Sequence, residues 1–107
     1  MHNSDLYKIE FYVPSSHLEA VKSAMFDAGA GRVGNYDCCS WQTSGEGQYR
    51  PLEGSQPFFG EQDRVEYSAE YKVEMVCSVE FVKEVIGAMK ATHPYEEIAY
   101  CVIRTVG

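Results

Sequence analysis

Tyr7, Ile9, Phe11 and Val13 alternate with Lys8, Glu10 and Tyr12, the two-residue period of a strand with one buried face. Pro14 ends that strand. The period then lengthens. Leu18, Val21, Met25 and Ala28 fall on one helical stripe, Ser16 and Glu19 have the spacing of a capping box, and Gly29 supplies the stop. Further on, Val65, Tyr67, Ala69, Tyr71, Val73 and Met75 point one way, and Arg64, Glu66, Ser68, Glu70, Lys72 and Glu74 the other. Ser78 is the predicted N-cap of a second helix that carries Val79, Val82, Val85, Ile86 and Met89 inward, and Pro94 bars its continuation past His93. The last strand, Ile98 to Val106, is apolar on both faces, which predicts a place in the middle of the sheet or in a subunit contact.

This recurrence is an internal repeat. Residues 7–25 and 71–89 align without a gap at an offset of 64, with Tyr7/Tyr71, Lys8/Lys72, Glu10/Glu74, Val21/Val85, Ala24/Ala88 and Met25/Met89 identical. Two copies cannot make a solenoid, but they fit a domain built from two strand-helix units. Between them, Tyr36 to Thr43 is a predicted strand, Gly45-Glu46-Gly47 a predicted turn, Gln48 to Pro51 its hairpin partner, and Leu52 to Asp63 a loop. Right-handed crossovers and one apolar stripe per helix place both helices on the same sheet face. The expected fold class is therefore α+β, a ferredoxin-like β-α-β-β-α-β sandwich with a β-hairpin extension. The opposite sheet face would carry Lys8, Glu10, Glu70, Lys72 and Glu74, suited to solvent or to a polar barrel between subunits.

Composition narrows the partners. The chain has 107 residues, read as one domain over 1–107, with nine Lys and Arg against sixteen Asp and Glu for a net charge of −7. That balance argues against nucleic acid and against an anionic membrane surface. No stretch has the length of a membrane helix, and the polar start Met1-His2-Asn3-Ser4-Asp5 lacks a signal-peptide pattern, so the expected location is cytoplasmic. Cys38, Cys39, Cys77 and Cys101 show no C-x-x-C spacing and are expected to be reduced, partly buried thiols. Gly29-Ala30-Gly31-Arg32-Val33-Gly34 matches G-x-G-x-x-G in letters only. It follows a helix and leads into a strand, the reverse of a dinucleotide site, and reads as a helix C-cap and turn.

The chemistry concentrates in His93-Pro94-Tyr95-Glu96-Glu97, an imidazole, a phenol and two carboxylates at a helix-to-strand turn. His93 and Glu97 could ligate a divalent metal ion, or the imidazole and a carboxylate could act as an acid/base pair. The alternative is structural, with His93 complementing the helix C-terminus and the glutamates solvated. Tyr36, Trp41, Tyr49 and Phe58 offer an aromatic ligand surface, with Tyr95 and Glu96 beside it, or else simply pack beneath the long loop. His2, His17 and His93 have no nucleophile at a recognisable spacing, so no catalytic residue is assigned.

Four motifs carry a resemblance: Gly29-Ala30-Gly31-Arg32-Val33-Gly34-Asn35-Tyr36-Asp37-x-Cys39, Gly45-x-Gly47-x-Tyr49-x-Pro51, Pro57-Phe58-Phe59-Gly60-Glu61 and His93-Pro94-Tyr95-Glu96-Glu97-x-Ala99-Tyr100. In this order, and over about residues 5–106, they resemble the inserted domain of the YqfO/YbgI family, the Nif-three-like dinuclear metal-centre proteins. The resemblance implies a PII/CutA-like fold and assembly into trimers. It does not imply the dinuclear centre, which domains flanking the insert hold in that family. A chain of insert size is expected to be a freestanding module. Three functions follow as expectations. The first is a non-enzymatic homo-oligomer that binds a small molecule, a metal ion or a protein. The second is divalent-cation binding or metal tolerance of CutA type through His93 and Glu97, with a divalent metal ion as the only candidate cofactor. The last is a small hydrolase.

Overall fold

The computed structural model describes residues 6–106; the polar start and His2 lie outside the described residues. The elements run β1 (Leu6–Pro14), a 3₁₀ turn (Ser15–His17), α1 (Leu18–Asp27), β2 (Trp41–Tyr49), β3 (Glu66–Ser78), a 3₁₀ turn (Val79–Phe81), α2 (Val82–Thr92) and β4 (Tyr100–Arg104). One sheet in the order β2-β3-β1-β4, antiparallel throughout, carries both helices on one face. This is the ferredoxin-like α+β sandwich that the periodicity predicts.

The repeat survives residue for residue. At the same offset of 64, Ser15 and Val79 open the 3₁₀ turns, and Leu18 and Val82 open the helices. The core repeats too: Ile9 with Val73, Phe11 with Met75, Val13 with Cys77, Val21 with Val85 and Met25 with Met89 are all buried. β1 and β3 pair in a register that puts Glu10 opposite Glu74, each the counterpart of the other, so a local two-fold axis relates the units. The apolar stripes of α1 and α2 meet over that pair of strands.

Five expectations change. Neither Ser16 nor Ser78 makes a side-chain cap; each helix is entered through a 3₁₀ turn, and the Ser16 hydroxyl bonds His17 Nδ1 instead, at 2.8 Å. Gly45-Glu46-Gly47 does not turn, because β2 runs through it in register with Glu70, Ala69 and Ser68, and the hairpin is β2–β3 itself. The predicted strand at Tyr36 begins only at Trp41, since positive φ at Gly31, Gly34 and Cys38 folds 31–40 into turns. Finally, β4 is shorter than predicted and lies at the sheet edge rather than in its middle, with Tyr100, Cys101 and Ile103 exposed. Cys38 is exposed as well, so of the four free thiols only Cys77 is fully buried.

The thirteen residues of β3 outrun the helices. Its inward face is buried from Val73 to Cys77, but Tyr67 and Ala69 on the same face lie uncovered. The β2–β3 ribbon thereby stretches the molecule to 52 Å against 23 Å in the other directions.

Candidate functional site

The open face of the sheet has two parts. Its centre is a charge cluster: Lys8 Nζ lies 3.2 Å from Glu10 Oε2 and also pairs with Glu74, while Lys72 Nζ lies 3.6 Å from Glu10 Oε1. The Cys101 thiol approaches the same Glu10 oxygen at 3.7 Å. The Lys8 hydrogen bond comes first in holding the Glu10 carboxyl below its ordinary value, and Glu74 and then Glu10 raise the Lys8 ammonium.

The other part is an open cavity of about 370 Å³ at the Tyr12 end, bordered by the 50–65 loop and the 95–99 segment. The sheet supplies Tyr12, Gly47, Tyr49 and Glu70; the loop adds Arg50, Ser55 and Phe58; Tyr95, Glu96 and Glu97 complete the wall. Three bonds shape the loop, two of them to residues outside it. The Tyr49 hydroxyl donates to the Phe59 carbonyl, the Asp63 N–H to Pro51 O at 2.7 Å, and the Gln56 N–H to Glu96 Oε1 at 2.8 Å. Phe58 thereby sits 6.2 Å from the Tyr95 ring and edge-on to His17 at 5.6 Å, measured between centroids.

One of the two glycines in this stretch of β2, Gly47, meets a close neighbour. Glu70 crosses the strand next to it, and a Cβ at Gly47 would come within 2.7 Å of Glu70 Cδ. The space so left lets the carboxylate receive the Tyr95 hydroxyl at 2.6 Å. Burial first, and this bond second, push the Tyr95 phenol up to about 12, so it stays a donor at neutral pH. Tyr49 is shifted upward in the same way, by burial and then by Glu66 and Glu70.

His93 braces this corner from behind. It is 8% exposed; its Nε2 bonds the Tyr12 carbonyl at 2.7 Å, and its Nδ1 accepts the Tyr95 N–H at 3.1 Å. The network fixes the neutral Nε2–H tautomer, and burial lowers the imidazole's pKa. With both nitrogens engaged, a metal ion at His93 would have to displace one of these bonds. Among the described residues no three His, Cys, Asp or Glu side chains are grouped to hold a metal ion.

Of the residues singled out in the sequence, Tyr49, Phe58, Tyr95, Glu96 and Glu97 come together in this cavity, and His93 stands against Tyr95 with ring centroids 4.9 Å apart. Tyr36 and Trp41 do not join them. Tyr36 is exposed in the 31–40 turns, and Trp41 lies at the opposite end of β2, its indole N–H donating to Thr43 Oγ1 at 3.1 Å. Tyr12 and Glu70 lie in no local motif, and Gly47 and Arg50 fall within the Gly45-x-Gly47-x-Tyr49-x-Pro51 stretch without being marked there as site residues. The register of β2 on β3 is what assembles them, although the pairing of a small Gly47 with a long acidic neighbour is a sign that could be sought.

A four-stranded antiparallel sheet with two helices on one face and a long β2–β3 hairpin defines a PII/CutA-like, ferredoxin-fold domain. CutA from Xylella fastidiosa superposes with a TM-score of 0.70 over 97% of this chain and 88% of its own, at 20% identity, which bears on the fold alone. The particular resemblance is to the YqfO/YbgI insert domain. A Bacillus cereus protein related to NIF3 superposes with a TM-score of 0.84 and 34% identity, over all of this chain and 27% of the other. The GTP cyclohydrolase 1 type 2 homolog of Mycobacterium bovis is 44% identical over 103 residues, 96% of this chain. The chain spans only about a quarter of that relative, 27% of its length. No family model matches the chain.

Proposed function

We propose that the protein is a non-enzymatic, self-associating module, a homotrimer, that holds a small ligand in the cavity between the open sheet face and the 50–65 loop. The observation that carries this reading is the incomplete covering of the sheet. Helices shield one face only, while β4 leaves an exposed edge bearing Tyr100 and Ile103. Unpaired strand edges and exposed apolar side chains of this kind are normally covered by another chain. The charge cluster of Lys8, Glu10, Lys72 and Glu74 suits a polar interior between subunits, because its charges are already paired within one chain. Light scattering coupled to size exclusion tests the assembly, and limited proteolysis of the 50–65 loop with and without ligand tests the cavity.

A second reading, binding of a divalent cation by His93 and Glu97, draws support from fold neighbours such as a periplasmic divalent cation tolerance protein CutA from Archaeoglobus fulgidus. Its cost is the loss of a buried histidine bond to Tyr12 or Tyr95. Metal analysis of untagged protein beside His93→Ala decides it: equal metal content in both removes this site. The cytoplasmic assignment stays with this proposal; no helix among the described residues is long and apolar enough to cross a membrane.

A further inference from the structure

We infer that the cavity selects an organic cation, a protonated amine carried on an apolar body; this rests on the ligand-holding reading above and names the chemistry of the same site. A volume of about 370 Å³ matches a small organic molecule; such sites run upward from about 300 Å³. A bare metal ion would leave most of it empty.

Tyr12, Tyr49, Phe58 and Tyr95 line the space, and aromatic residues around a cavity favour a cation through the negative faces of their rings. Three carboxylates, Glu70, Glu96 and Glu97, share the wall with a single cation, Arg50. The excess negative charge repels a phosphate or carboxylate ligand and attracts an ammonium.

These carboxylates are arranged rather than merely numerous. The three residues come from different segments, β3 and the turn before β4, and line one space. Glu70 is oriented by the Tyr95 hydroxyl at 2.6 Å and Glu96 by the Gln56 N–H at 2.8 Å. Each keeps further lone pairs for an N–H donor. Among the described residues the Glu97 carboxylate has no hydrogen-bond or ion-pair partner, and it is left to meet the ligand. The combination of aromatic walls and a free carboxylate recognises the two halves of an amphipathic amine.

The test is calorimetric titration of the full chain with benzylamine, its neutral isostere benzyl alcohol, and ATP. The inference expects benzylamine to bind at least about tenfold more tightly than the alcohol, because the two differ only in the charged head. It expects Glu97→Gln and Phe58→Ala each to weaken benzylamine about fivefold or more, while Glu19→Gln on the exposed side of α1 leaves it unchanged. Both positions are exposed, so these variants should keep the fold, which a thermal melt checks. Equal binding of amine and alcohol, or unchanged binding in both cavity variants, overturns the inference. If ATP binds instead and Phe58→Ala abolishes it, the cation is wrong and the ligand-holding reading stands. If no probe binds at millimolar concentration, both fail.

Discussion

Glu10 and Glu74 hold the same position in the two repeats and face each other directly across β1 and β3. Like charges in that relation repel. Here Lys8 reaches both carboxylates and Lys72 reaches Glu10, so the local two-fold axis runs through a closed set of four charges.

That cluster predicts a particular acid limb. Lys8 holds the Glu10 carboxyl below its ordinary 4.5, so its stabilising effect is complete above that value and is lost as pH falls through the lower folded-state pKa. Glu10→Gln should flatten the fall of the urea midpoint below pH 4.5 and lower the midpoint at neutral pH by the same modest amount, because the stabilisation lost in acid is the one present at neutral pH. At the other extreme, Lys8 is raised above 10.5, so its effect persists below that value and is lost as pH rises through the raised one.

Burial lowers the pKa of His93, which reverses the usual histidine sign. The unfolded chain takes up the proton first, so stability should decline as pH falls below 6.5 and level off beneath the folded-state pKa. His93→Gln should remove that slope. His93→Ala should in addition cost about 1–3 kcal/mol at neutral pH, because the Tyr12 carbonyl and the Tyr95 N–H lose their partner. Denaturant titrations over a pH series measure both.

Met25 and Met89 are repeat counterparts and both are fully buried between the helices and the sheet. Substitution of either by Ala should destabilise by about 2–5 kcal/mol in chemical denaturation. Equal costs at the two positions would show that the repeat extends to energetics.

The bond from Tyr95 to Glu70 has its own readout. Glu70→Gln should lower the Tyr95 pKa from about 12 while leaving it above 10.0, since burial is the larger cause and remains. NMR of ring-labelled tyrosine follows that group among the others.

Local periodicity carried most of this fold in the sequence. The alternation of Tyr7 to Val13, the helical stripes and the repeat specify β1, β3, both helices and the faces they bury. What escaped were features set by distant partners. Gly45 and Gly47 have the composition of a turn but serve as extended strand paired with β3, and Gly47 leaves room there for the Glu70 carboxylate. The apolar β4 reads as a central strand or a subunit contact and is an edge strand of the sheet, since apolarity on both faces does not distinguish a neighbouring strand from a neighbouring chain. The site divided in the same way. The His93 to Glu97 cluster is contiguous and visible, whereas Tyr12 and Glu70 join it only through tertiary structure.

The central claim is self-association through the uncovered edge and face, and multi-angle light scattering on the eluting peak tests it most directly. At micromolar concentration the account predicts the mass of three chains of 12.1 kDa. It also predicts a shift toward smaller species when Ile103→Asp places a charge on the exposed face of β4. A single species at 12.1 kDa over the whole micromolar range would contradict it.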